Sequence, residues 1–438
     1  MSITAALFVL VYVAGLILAF AKHPKFGLYS YLFEFYLHPI SRWWGHDLPD
    51  LRWSFLAAMV TFVAILVRNT KDGRRPWTNN FGAVFYIALL SWMVLQFAWE
   101  ITGKWHILGT NIVANFLVLY FVIYKSIEDE KSIRTFFLIH IIGCCYLSYL
   151  AYTHGSGRME GIGGPGISDS NSFGMHLSTA VGFAAALLLR GNFYQRAFMA
   201  LAAPFILNGV VLTQSRGAFV GLCGSALAMI ILKDPGKRVT FYALGVIALF
   251  AALSLMPPNF TERMSTILNA ADETTQVDTS IRTRQILIGL QLKIAAEHPL
   301  GVGFKGTAVL SKNYLDPKYL TQGSRASHNT YMSYLVDHGI PGLFLYLWML
   351  FTAASQHLKL RAAFIASGQT HLIDYLMALG SAIAIVAITG MASNFFRAEI
   401  LVWCLALFAC LRNLLIEPGA KDAVPAEGTE SGDAVTQN

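Results

Sequence analysis

The chain is predicted to be an all-α polytopic membrane protein, and three observations predict it. Of its 438 residues, 55% are hydrophobic and only 13% are charged, whereas a soluble domain carries roughly 25% charged residues. The mean hydropathy is +0.53. Apolar windows of roughly 20 residues, the length that crosses a bilayer as a helix, recur along the chain.

The windows begin near Ile3, Trp53, Gly82, Asn111, Thr135, Phe173, Arg196, Ala218, Thr240, Thr330, Ile373 and Ile400, which makes about twelve transmembrane helices. The first, Ile3 to Ala21, lacks a basic n-region and a small-residue cleavage pattern and reads as a retained anchor. A further stretch, Leu28 to Trp44, is interrupted by Glu34, His38, Pro39 and Arg42. It is expected to be interfacial or re-entrant, because isolated polar groups do not face lipid.

Basic residues cluster in short loops: Arg68, Lys71, Arg74 and Arg75; Lys125, Lys131 and Arg134; Arg190 and Arg196; Lys233, Lys237 and Arg238; Lys359 and Arg361. With the spans as counted, all five loops fall on one side, which the positive-inside rule makes cytoplasmic. Both termini are then expected on that side. The division that follows is residues 1–256 as membrane helices with an interfacial segment near 28–45, then 257–327 as an external, mostly helical region. Residues 328–415 form the last membrane helices, and 416–438 a disordered cytoplasmic tail.

The net charge of +7 is absorbed by these topology-setting loops. With no basic stripe and no interleaved aromatics, nucleic acid is excluded as a partner. The five cysteines, Cys144, Cys145, Cys223, Cys404 and Cys410, all lie in apolar segments and read as small hydrophobes. No HExxH, DxD or paired-carboxylate motif occurs, so neither a metal nor another cofactor is expected. Walker A and Rossmann signatures are absent too. The pairs Trp43/Trp44 and Trp99/Trp105 read as interface belt residues.

The polar pieces gather on the other side. One is the Gly-rich loop from His154 through Arg158 to Pro165, continuing to Asn171; another is the turn Thr213-Gln214-Ser215-Arg216-Gly217. The largest runs from Pro257 to Ser327, too long to be a structureless connector. Inside it, Ser280 to Glu297 repeats apolar residues at Ile286, Leu287, Leu290 and Ile294, and closes at His298-Pro299 and Gly301. That is an amphipathic helix, packed on the membrane domain or lying at the interface.

Arg216 flanks a span. It reads either as a helix-end arginine reaching for lipid headgroups or, given the glycine beside it, as a bidentate phosphate ligand. Arg282 and Arg284 begin the amphipathic helix, where cations oppose the helix dipole unless an anion arrives. His328 opens the next span; it reads as a capping residue or as a general base, with Asn329 beside it able to orient a hydroxyl. His338 lies on the same helix, about 15 Å further along, so the two histidines are not one metal site.

His328-Asn329, nine residues, Gly339, two residues and Gly342 together resemble the signature of O-antigen ligases, the WaaL-like members of the ligase/polymerase superfamily. The Ser215-Arg216-Gly217 turn resembles a second element of that family. A third is Arg284 to His298-Pro299-Leu300-Gly301-Val302-Gly303-Phe304, an arginine-led helix ending in a Pro-x-Gly-x-Gly bend. The segments around His23-Pro24 and His38-Pro39 resemble the exosortase-associated O-glycosylation ligase subgroup, with a departure from its usual Asn-Pro-His order.

The resemblance implies a GT-C-like membrane fold with a periplasmic active site in the bacterial inner membrane. It implies transfer of a glycan from an undecaprenyl-diphosphate carrier to a lipid A-core sugar hydroxyl, metal-independent and inverting, in lipopolysaccharide biosynthesis. Carried onto this chain, His328 is the base, with His338 as an alternative base or an orienting residue. Arg216 and Arg284 bind the diphosphate, and Arg158, Asn329 and Arg282 contact substrate. An O-antigen polymerase or a protein O-oligosaccharyltransferase would share this chemistry. A lipid or polysaccharide transporter without chemistry is the alternative from another class, and would show charged residues buried in mid-span.

Overall fold

A computed structural model describes residues 1–68, 75–155, 159–164, 166–237, 239–243, 245–246, 250, 279–320 and 323–415. These fold as helices: α1 (Ile3–Ala21), α2 (Lys25–Leu37), α3 (Trp53–Arg68), α4 (Phe81–Gln96), α5 (Lys104–Ser126), α6 (Glu130–His154), α7 (Ser170–Arg190), α8 (Phe193–Leu212), α9 (Arg216–Leu232), α10 (Thr279–Glu297), α11 (Gly306–Tyr314), α12 (Thr330–Ala366), α13 (Ile373–Thr389) and α14 (Glu399–Asn413). Seven of the described helices are long and apolar enough to cross a membrane, and α3, α4 and α9 are shorter apolar helices. The protein is a multi-pass helical membrane protein. The window near Thr240 lies largely outside the described residues, as do most of 257–327 before α10 and the tail from 416.

Helix starts are written in the sequence. Asp169 and Asn192 close capping boxes with Ser172 and Gln195 at the starts of α7 and α8. Ser215 and Asn329 cap α9 and α12 through their side-chain oxygens, each satisfying an N–H that the first turn leaves unpaired. Packing inside lipid rests on close approach of small residues. A Cβ on Gly221 of α9 would stand 2.5 Å from Thr389 of α13, and one on Gly182 of α7 would stand 2.2 Å from Ser381. Both α7 and α13 are therefore buried along most of their length.

The basic loops meet at one end of the bundle. The fully buried carboxylate of Asp374 accepts from Arg190 at 2.8 Å and Lys237 at 2.6 Å. Arg361 donates to the Lys233 carbonyl, Arg134 to the Tyr375 hydroxyl, and Tyr124 to the Arg75 carbonyl. Lys71, Arg74 and Arg238 lie outside the described residues.

Within residues 28–45, α2 packs inside the bundle, whereas Ile40 and Trp43 beyond it are exposed. Helix α2 begins at the basic end, where Lys25 donates to Ser132 at 3.2 Å and His23 meets Glu128 at 3.2 Å. It ends at the opposite end, where Arg42 donates to the Ile162 carbonyl in the Gly-rich loop. The polar residues that argued against a span are satisfied by protein: Ser54 donates to Glu34, Tyr31 to Glu399, and Ser30 to the Tyr12 carbonyl. Lipid excludes unpaired polar groups, not paired ones.

Hydrogen bonds place the two ends of α1 at opposite ends of the bundle. Ser2 donates to Asp47 at 2.6 Å, while the Phe20 carbonyl at the other end of α1 accepts from Arg68. Ser2 thus stands at the end of α1 away from Arg68, while the end of α14 is bonded to Tyr124 through Asn413. An impermeant maleimide should label Ile3→Cys and Lys131→Cys from opposite faces of membrane vesicles. Labelling from the same face would place Ile3 on the side of the basic loops.

Candidate active site

Three sequence motifs, far apart in the chain, converge at the end of the bundle opposite the basic loops. The start of α12 docks on the turn after α13: Thr330 N–H donates to the Gly390 carbonyl at 2.7 Å, and its hydroxyl donates to the Ser393 carbonyl at 2.7 Å. The start of α9 meets the same turn, since a Cβ on Gly217 would lie 3.3 Å from that of Ala392. Arg216 and His328 thus flank residues 390–393 from two sides. Ser215 is held in turn by Asn171 at 2.8 Å.

Helix α10 joins them through one buried amide. Gln291 donates to the Ser327 hydroxyl at 2.7 Å and to Thr307 at 3.1 Å. Arg284 is seven residues earlier in α10, two turns at about 3.6 residues each, and so shares the face of Gln291. The adjoining edge buries Leu287, Leu290 and Ile294 against Val302, Leu310 and Val336. The amphipathic helix therefore packs on protein. Arg216 and Arg284 are half-buried and His328 is exposed. Arg158 and the side chain of Arg282 lie outside the described residues.

The register of α10 against α12 is set by backbone. Within α12, Gly339 has φ +70° and ψ −169°, and Pro341 has no N–H to give the helix. The interruption strands carbonyls at 336–338, and the Pro-x-Gly-x-Gly bend takes them up. Val302 N–H donates to Val336 at 3.1 Å, Gly303 N–H to Asp337 at 2.9 Å, and Ile340 N–H to Pro299 at 2.9 Å. Trp92 donates to the His338 carbonyl and Trp99 to that of Gly301. Trp99 is therefore part of the joint and not only a belt residue.

His338 does not face the solvent side of the site. It is fully buried, and its Nδ1 meets the Gln96 side-chain oxygen at 2.9 Å. The Gln96 amide nitrogen donates to the Leu300 and Asp337 carbonyls at 3.1 Å each. His338 belongs to the joint, whereas His328 stands at the mouth. Asn329 accepts from Met332 N–H as the helix cap.

Sequence reasoning passed over Asp337, whose carboxylate accepts from Lys305 and Gly306 N–H at 3.0 and 2.8 Å. It also missed Lys305, whose ammonium lies 3.8 Å from the Trp105 ring centroid. Desolvation first, then the charge of Arg397, hold Lys305 below the ordinary lysine range, with Asp337 opposing. The only sequence signal for either was proximity to a glycine motif.

Gly339 and Gly368 have nearly the same φ, +70° and +72°, but a Cβ on Gly339 would stand 2.3 Å from the Leu300 carbonyl carbon while one on Gly368 meets open space. Gly368→Ala should cost about 1–2 kcal/mol from backbone conformation alone. Gly339→Ala should cost clearly more, measured by thermal unfolding in detergent; equal losses would mean the joint is slack.

No curated protein matches the chain significantly. Residues 197–347 match the family model described as O-Antigen ligase, a stretch that holds Arg216, Arg284, the glycine bend and the His328–Gly342 segment. Over residues 197–347, about a third of the chain, it is thus similar to the O-antigen ligase family.

Proposed function

We propose that the protein is a membrane glycosyltransferase that moves a glycan from undecaprenyl diphosphate to a sugar hydroxyl of lipid A-core. The observation that carries this reading is the convergence of Arg216, Arg284 and His328, from three separated motifs, on the end of the bundle away from the basic loops. On the positive-inside rule that end is periplasmic, the bacterial inner membrane being the site of action.

In this reading Arg216 and Arg284 hold the diphosphate. A guanidinium offers paired donors that match phosphate oxygens, and both residues are half-buried, Arg216 at the first position of α9 where the dipole also favours an anion. Charge grows on the diphosphate as the anomeric C–O bond breaks, so the same arginines stabilise the leaving group more in the transition state than before it. His328, exposed beside them, takes the proton of the acceptor hydroxyl as its oxygen attacks the anomeric carbon from the far side, which inverts that centre. Its backbone is fixed from both sides, by Ser327 on Gln291 and by Asn329 at the helix cap.

The transfer step uses no metal and no nucleotide. His338, bonded to Gln96 inside the joint, is assigned to positioning. Arg158 and Arg282 are assigned weaker contacts to donor phosphate or glycan.

Purified protein with an undecaprenyl-diphosphate-linked glycan and lipid A-core tests this. His328→Ala should lower transfer by about a hundredfold or more. Arg216→Ala and Arg284→Ala should each cost about a hundredfold, a typical loss for one stabilising group. Full activity in His328→Ala would remove the base assignment. Transfer only to a second donor molecule, or only to a protein hydroxyl, would reassign the acceptor to the polymerase or protein O-oligosaccharyltransferase reading. No transfer at all, with lipid movement retained, would favour a transporter.

A further inference from the structure

Three helices meet at a dry cluster of ligand-type side chains that the proposed transfer does not use. His140 and Cys144 lie one turn apart on α6, His176 lies on α7, and Tyr36 on α2; all four are buried. One ligand atom each from His140, Cys144 and His176 falls within 4.8 Å of the others. The Tyr36 hydroxyl stands 2.5 Å from His140 Nδ1 and 3.1 Å from His176 Nε2. Cys144 Sγ lies 3.9 Å from His140 Nε2, which also meets the Thr179 hydroxyl at 3.1 Å.

The surroundings close the site. The Trp403 ring packs edge-on against both imidazoles, with centroids at 6.0 and 5.8 Å. A Cβ on Gly143 would stand 2.2 Å from the Tyr36 ring, so the absence of a side chain at 143 lets that ring reach the histidines.

We propose that this cluster is a structural metal site for a thiophilic d10 ion, Cu(I) or Zn(II), bound by His140, Cys144 and His176. Bonds of about 2.0–2.3 Å from imidazole nitrogen and thiolate sulfur place neighbouring ligand atoms about 3.3–4 Å apart. One ligand atom of each residue already lies within 4.8 Å of the others, and side-chain rotation closes the rest. Soft sulfur with imidazole selects copper or zinc over calcium or magnesium, which take oxygen ligands.

Charge supports the same choice. A net charge inside a bilayer is costly, and this donor set can neutralise either ion. Cu(I) with the Cys144 thiolate and two neutral imidazoles is uncharged, the thiol proton passing to solvent as the ion enters. Zn(II) reaches neutrality when Tyr36 also gives up its proton and becomes the fourth ligand. Bound in this way, the ion would pin α2, α6 and α7 together. Asn171, which holds Ser215 beside Arg216, sits in the first turn of α7.

Full-length protein purified from copper- or zinc-supplemented cells should hold about one ion per chain by mass spectrometric metal analysis. His176→Gln and Cys144→Ser should hold under about a tenth of that, and Cys145→Ser should hold the full amount. Tyr36→Phe should lose zinc and keep copper. Cobalt(II) added to apo-protein should produce a thiolate-to-metal charge-transfer band that Cys144→Ser lacks. If Cys144→Ser fails to fold, protection of Cys144 from maleimide by added metal in the wild-type chain serves in its place. Folded wild-type protein that takes up neither ion, or variants that retain the full metal content, would overturn the site and leave a hydrogen-bonded Tyr–His–His cluster.

Discussion

The structure around the site depends on one exchange of backbone hydrogen bonds. Residues 299–303 and 336–340 pair across a break in α12, and each side supplies what the other lacks. Pro341 leaves the Asp337 carbonyl without its helical donor, and Gly303 and Gln96 replace it. The approach is so close that a Cβ on Gly301 would stand 2.4 Å from the Gly339 nitrogen. Inside a membrane protein a carbonyl left unpaired costs several kcal/mol, about what a whole domain can spare. The joint therefore permits little slippage, and it fixes Arg284 on one helix relative to His328 on the other.

The two ends of the bundle use charge differently. At the basic end Arg190 and Lys237 share the buried carboxylate of Asp374, so those cations are matched within the protein. At the other end the charge of Arg397 contributes to depressing Lys305, and Asp337 opposes it.

Much of this was legible in the chain. Five basic loops were placed on one side by their residues alone, and contacts through Asp374, Arg361, Arg134 and Tyr124 gather the described ones there. The amphipathic run at Leu287, Leu290 and Ile294 is a helix with that face buried. Helix α2 was less legible, because a window scan treats Glu34, Ser30 and Tyr31 as polar whatever they touch. Their partners, Ser54, Tyr12 and Glu399, come from α3, α1 and α14. The cluster at His140, Cys144 and His176 was hidden for the same reason: its members come from different helices, and cysteine spacing alone shows nothing.

By itself the sequence determined the helical membrane class, the caps that start α7, α8, α9 and α12, and the positions of Arg216 and His328 beside two of those starts. These are local matters, decided by hydropathy over about 20 residues and by side chains bonding within their own turn. Only the tertiary structure decided that His338 turns inward to Gln96 while His328 stays at the mouth, and that the N-terminus lies opposite the basic loops. Both outcomes depend on which distant group satisfies a polar atom. In a bundle where water cannot, that choice belongs to the packing of helices and not to the order of residues along any one of them.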